Sequence, residues 1–97
     1  MNYSMENSQL TICLDGKITA ANAPQLSKDA MGLIAKEHPT SVVLDASSLE
    51  YISSAGLRAV VNLAKSVENI TIQGASPEVH EVFYLTGLDH IVRLEEG

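Results

Sequence analysis

Val42-Val43-Leu44-Asp45-Ala46-Ser47-Ser48-Leu49-Glu50-Tyr51-Ile52-Ser53-Ser54-Ala55-Gly56-Leu57 holds the change of period on which the fold reading turns. Its first three residues form a continuous apolar run between Ser41 and Asp45. Such a run reads as a strand buried on both faces, as in a parallel sheet between helix layers. From about Ser54 to Ser66 the period becomes helical, with Leu57, Val60, Val61, Ala64 and Val67 on one face. Arg58, Asn62 and Lys65 fall on an opposite polar stripe.

The same alternation of periods extends outward. Before this stretch, Leu10, Ile12 and Leu14 alternate with polar residues as in a half-buried strand. Asp15-Gly16 reads as a turn and Lys17-Ile18-Thr19 as a short return strand. Asn22-Ala23-Pro24-Gln25 predicts a helix start, with Asn22 as N-cap and Gln25 closing a capping box. That helix buries Ala23, Leu26, Ala30, Leu33 and Ile34 and ends near Glu37-His38, because Pro39 disfavours helical geometry in the residue before it. After the central stretch, Ile70-Thr71-Ile72 reads as a strand. Ser76-Pro77-Glu78 opens a third helix that buries Val79, Val82, Phe83 and Leu85 and ends at Gly87. Ile91-Val92-Arg93-Leu94 is the last strand. The order β-β-α-β-α-β-α-β predicts an α/β domain with a mixed, mostly parallel sheet of about four to five strands packed by three or more helices. Its first strands are expected to pair antiparallel at one edge. Residues 1–8 are polar and expected to be a flexible N-terminus, leaving 9–97 as the domain.

Composition narrows the function. Ninety-seven residues make one domain, and a net charge of −6 is shared evenly between the two halves. An acidic chain is poorly suited to phosphate-backbone contacts with nucleic acid or to an anionic membrane surface. No apolar run approaches the roughly 20 residues of a membrane span, and no signal peptide is visible, so a cytoplasmic location is expected. A single cysteine, Cys13, excludes an internal disulfide, and no lysine or histidine flanks it to make a reactive thiol. His38, His80 and His90 lie far apart without ligand spacing, so no metal is expected. Both nucleotide-binding glycine fingerprints are missing, and no cofactor is implied.

The informative residues are Ser53 and Ser54, where a strand hands over to a helix. In the plainest reading one of them caps the helix. A sharper one notes that the positive end of a helix favours a phosphate, and that Gly56 lets backbone or partner approach closely. A serine here can carry a phosphate of charge about −1.5 to −2 without disrupting its own fold. A third reading makes Ser54 a hydrolase nucleophile. Gly56 supplies the second glycine of G-x-S-x-G, but Ile52 stands in place of the first.

Residues 42–57 resemble the signature stretch of STAS domains, above all the small single-domain anti-sigma factor antagonists. Ser76-Pro77-Glu78-Val79 and Leu85-Thr86-Gly87-Leu88-Asp89 resemble that family's third helix and its end, and residues 16–26 its approach to the first helix. The resemblance spans roughly residues 9–94. It implies a non-enzymatic, phosphorylation-controlled partner-switching protein. Such a protein binds an anti-sigma factor that is also a serine kinase, a GHKL-type ATP-binding protein. It is released when phosphorylated and reset by a PP2C-type phosphatase. By position the phosphorylated serine is Ser54, with Ser53 a minor candidate. The residue after the phosphorylated serine maps onto Ala55, and Gly56 and Leu57 match. Ser53 replaces the family's usual Asp, and Thr19 stands where many relatives carry an acid near the switch. The connection from the second helix to Ile70 is short. Arg58, Asn62 and Lys65, on the switch helix, read either as a solvated face or as docking surface for an acidic patch on the kinase. Two other readings stay open: a STAS subunit of a lipid-transport or stress-signalling complex, in which the serine is not phosphorylated, and a small serine hydrolase.

Overall fold

The computed structural model describes residues 2–95. Among the described residues, five strands and three α-helices alternate along the chain. They are β1 (Tyr3–Glu6), β2 (Gln9–Ile18), α1 (Ala23–Glu37), β3 (Ser41–Ile52), α2 (Ser54–Ala64), β4 (Asn69–Gln73), α3 (Pro77–Leu85) and β5 (Arg93–Glu95). The sheet runs β1-β2-β3-β4-β5 in spatial order, with β1 antiparallel to β2 and every other pair parallel.

This monotone order has a consequence for burial. Parallel crossovers share one hand, so successive steps in one direction carry their helices over the same face. Burial bears this out: Leu10, Ile12, Leu14, Val42, Leu44, Ile70 and Ile72 are buried, while the intervening Thr11, Cys13, Val43 and Thr71 are only half-buried. The central strand is therefore covered on one face, not on both as its apolar run predicts. Phe83, Val60 and Leu63 complete the core from the helices.

Several boundaries differ from those read in sequence. Residues 1–8, expected to fray, include β1, joined to β2 by Asn7-Ser8, both with positive φ (50° and 67°). Two successive left-handed residues give the twist that a two-residue hairpin needs. The expected turn at Asp15-Gly16 is absent, and β2 runs straight through it. Gly16 takes up the irregularity at φ 64°, and Ile18 stays in phase with Leu14 on the core face. β3 also outruns its apolar triplet. Its register against β2 slips between Cys13 and Asp15 and again between Gly16 and Lys17, so its buried residues pass from Val42, Leu44, Ala46 to Leu49 and Ile52. Bulges that add a residue turn a spacing of two into a spacing of three.

At the other end, Leu85 is 72% exposed rather than buried. Gly87 ends α3 in the left-handed conformation as expected (φ 77°), and a 3-10 turn, Leu88–His90, follows. The last strand consequently begins at Arg93, beyond the expected Ile91-Val92.

Candidate functional site

The carboxyl ends of β2, β3 and β4 and the starts of α1, α2 and α3 gather along one edge of the sheet. Ser53 and Ser54 occupy the middle of that edge, where they differ in role. Ser53 is the N-cap of α2: its backbone is extended (φ −84°, ψ 171°) and its hydroxyl accepts the Gly56 N–H at 3.2 Å. Its own N–H donates to the Ile18 carbonyl at 2.8 Å, which ties the start of α2 to the end of β2. Ser53 is thus half-buried and engaged. Ser54 is the first residue of the helix and exposed, and among the described residues no hydrogen bond engages its hydroxyl. Of the serines that sequence left as alternatives, Ser53 caps.

Gly56 is buried. A Cβ at this position would lie 2.6 Å from Ile52 Cγ1 and 2.7 Å from Ile18 Cγ2. The close approach that glycine permits in the structure is to the protein's own strand ends. Leu57 also turns inward, into the core cluster. Of the stretch Ser53–Leu57, only Ser54 is exposed.

Arg58 and Asn62 are exposed in line with Ser54 on α2 and Lys65 is exposed at its C-cap, and neither Arg58 nor Lys65 forms an ion pair among the described residues. Arg58 and Asn62, with Ala55, line a shallow groove against Pro24 and Ser27 of α1. Thr19 is half-buried and belongs to the β2–α1 turn. Its hydroxyl accepts the N–H groups of Ala21 and Asn22 at 3.2 and 3.4 Å. The Ile18–Ser53 bond brings this turn to the start of α2. Asn22 is the N-cap of α1 as expected, and its carbonyl accepts the Leu26 N–H at 3.1 Å, but its side chain makes no cap bond because it points back toward Thr19 and Lys17. Gln25 bonds Asp29 instead of closing a capping box.

Tyr51 was passed over in sequence. It is 51% exposed, stands opposite Lys17 in the ladder and precedes Ser53 by two residues. An aromatic residue in the bulged half of β3 is the signal that could have marked it.

Elsewhere, Asp45 accepts the Ser47 hydroxyl at 2.7 Å and the Ser47 N–H at 3.0 Å. These bonds hold its carboxyl below the ordinary carboxylate range, the hydroxyl contributing most, with burial opposing. Among the described residues no histidine bonds Ser54, and no group of side chains is arranged to hold a metal ion. No helix is long and apolar enough to cross a membrane.

The STAS domain model matches residues 3–97. The chain belongs to the STAS family. It is 38% identical over 85 residues to BtrV of Bordetella bronchiseptica, a protein assigned as an anti-sigma factor antagonist; the match covers 84% of this chain and 72% of BtrV. The STAS fold is shared with a Thermotoga maritima protein of the same assignment (TM-score 0.91, 22% identity, 99% of this chain and 86% of that one). It is shared too with the phosphorylated form of the Bacillus cell-fate determinant SpoIIAA (TM-score 0.76, 18% identity, 99% and 89%). The similarity to BtrV places the STAS chain with the family's anti-sigma factor antagonists.

Proposed function

We propose that this STAS domain is a cytoplasmic partner-switching protein whose switch is phosphorylation of Ser54. The observation that carries the reading is the division of labour at the start of α2. Ser53 uses its hydroxyl to cap the helix, whereas Ser54 offers a free hydroxyl to a kinase. In the transfer step the Ser54 Oγ bonds to the γ-phosphorus of ATP, the bond to ADP breaks, and the hydroxyl proton passes to a base on the kinase. The unphosphorylated form binds the kinase, an anti-sigma factor of the GHKL type. The phosphorylated form is released and later restored by a PP2C-type phosphatase.

Release follows from comparing two settings of one charge. In the free protein the phosphate faces water and the positive end of α2, a setting worth about 0.3–1 kcal/mol in its favour. Against a packed partner the same charge loses its water, at a cost of several kcal/mol when no cation meets it. Arg58, Asn62 and Lys65 form the docking stripe for an acidic partner surface, and act mainly on the rate of encounter.

The test is to incubate the protein with the kinase that co-purifies with it, ATP and Mg²⁺, and to map the phosphate by mass spectrometry. One phosphate on Ser54, lost in Ser54→Ala, is expected. Undiminished incorporation into Ser54→Ala would sink the assignment and point to Ser53.

A further inference from the structure

Asn22 is exposed, yet both ends of its side chain are used. Its Oδ1 accepts the Thr19 N–H at 2.8 Å, and its Nδ2 donates to the Lys17 carbonyl at 2.8 Å. Thr19 closes the other side of the turn, accepting Ala23 N–H on its carbonyl at 2.9 Å as well as the two amides on its hydroxyl. Residues 17–23 are thereby locked into a small ring of hydrogen bonds. The ring lies where β2 has lost its outer neighbour, since pairing with β1 stops at Ile12 and the last link outward is Cys13 N–H to Asn2. The Asn22 amide takes the place of a missing strand at the Lys17 carbonyl.

Ile18 sits inside this ring, and its carbonyl is the acceptor for Ser53 N–H. The chain of contacts is short: Asn22 holds the peptide at Lys17, the Ile18 carbonyl holds Ser53, and the Ser53 hydroxyl holds the first turn of α2, with Ser54 between. Hydrogen bonds this exposed add little to global stability. Their effect is local, because they fix the direction of the one carbonyl that anchors the residue before Ser54. From this geometry we infer that Asn22 is a positioning residue for the switch serine, acting through Lys17, Ile18 and Ser53 without touching the phosphate. The link to Ser54 chemistry rests on the proposed function; the clamp itself does not.

Native-state hydrogen exchange followed by NMR tests the clamp in Asn22→Ala. Loss of both side-chain bonds should speed exchange of the Ser53 amide about tenfold while the Leu44 amide, deep in β3, keeps its protection. Asn22→Asp keeps an acceptor for Thr19 but no donor for Lys17, so it should restore only part of the protection. An unchanged Ser53 amide, or equal acceleration at Ser53 and Leu44, would overturn the inference. In phosphate transfer from ATP by the co-purified kinase, Asn22→Ala should lower kcat about tenfold and leave KM within about twofold, since a misdirected hydroxyl impairs the step more than docking. An unchanged kcat would deny Asn22 its role toward Ser54. Failure of wild-type Ser54 to take phosphate would defeat the proposed switch, while the exchange comparison would still decide the clamp.

Discussion

The first turns of α2 and α3 are built alike up to one position. Ser53 and Ser76 are both extended N-caps, and each accepts the N–H three residues on, at 3.2 Å, from Gly56 and Val79 respectively. Both third residues are buried. At the first helical position they part: α3 has Pro77, which has no hydroxyl to modify, and α2 has Ser54. They differ again in how closely they meet the sheet. Val79 has room to pack its side chain, whereas at Gly56 even a methyl would press on Ile18 and Ile52. A capped helix start is thus common property of the fold. What sets α2 apart is an exposed hydroxyl on a turn held hard against two strand ends.

The sharpest way to break this comparison is to give α2 the third residue of α3. Gly56→Val should destabilise the domain by about 3 kcal/mol, because the branches meet Ile side chains near their own backbones and cannot swing clear. The drop would appear in urea denaturation. A cost under 1 kcal/mol would mean that the start of α2 yields, and the tight seating of Ser54 would lose its basis.

The next effect is smaller and should be equal on the two helices. Ser53→Ala and Ser76→Ala each remove one cap bond and should each cost about 1 kcal/mol. Only Ser53→Ala should also alter phosphate transfer to Ser54. If neither or both change the transfer rate, the cap of α2 has no special connection with the switch.

The smallest effect belongs to the α3 side, where Ser47 packs against Gly74 in the loop before that helix. Ser47→Ala removes the hydroxyl bond to Asp45, so the Asp45 pKa should rise toward its ordinary value, as an NMR titration of its carboxyl carbon would show. Because the folded-state pKa is depressed, Asp45 stabilises the fold above its unfolded pKa, and this is lost as pH falls through the folded value. The variant should therefore have less of this acid-sensitive stability at neutral pH, with Ser54 unaffected.

The same contrast explains what could be read without coordinates. α2 and α3 were legible because cap, first-turn residue and apolar period agree in each, down to Gly87 as the terminator. The sheet was legible as mostly parallel, but β2 and β3 were read too short. A positive-φ glycine inside β2 has the sequence signature of a turn, and the bulges of β3 erase the alternation that marks a strand. β1 was missed because its Asn7-Ser8 turn lacks the usual glycine. At the candidate site, the stripe from Arg58 to Lys65 followed from helical spacing, whereas the choice of Ser54 over Ser53 came from the resemblance to the STAS signature stretch. The inward role of Gly56 depends on its approach to Ile18, distant in sequence, whereas the backward reach of Asn22 to Thr19 and Lys17 is local but uses the same side chain that a helix cap would, so residue type alone does not separate the two.

The central claim is that phosphate on Ser54 ejects the partner while the fold stays intact. Its most direct test is a calorimetric titration of the co-purified kinase with unmodified protein, Ser54-phosphorylated protein and Ser54→Ala, with circular dichroism of each form. Unmodified protein and Ser54→Ala should bind alike. The phosphorylated form should bind several hundredfold more weakly, the equivalent of about 3–4 kcal/mol, with an unchanged spectrum. Tight binding by the folded, phosphorylated form would contradict the account.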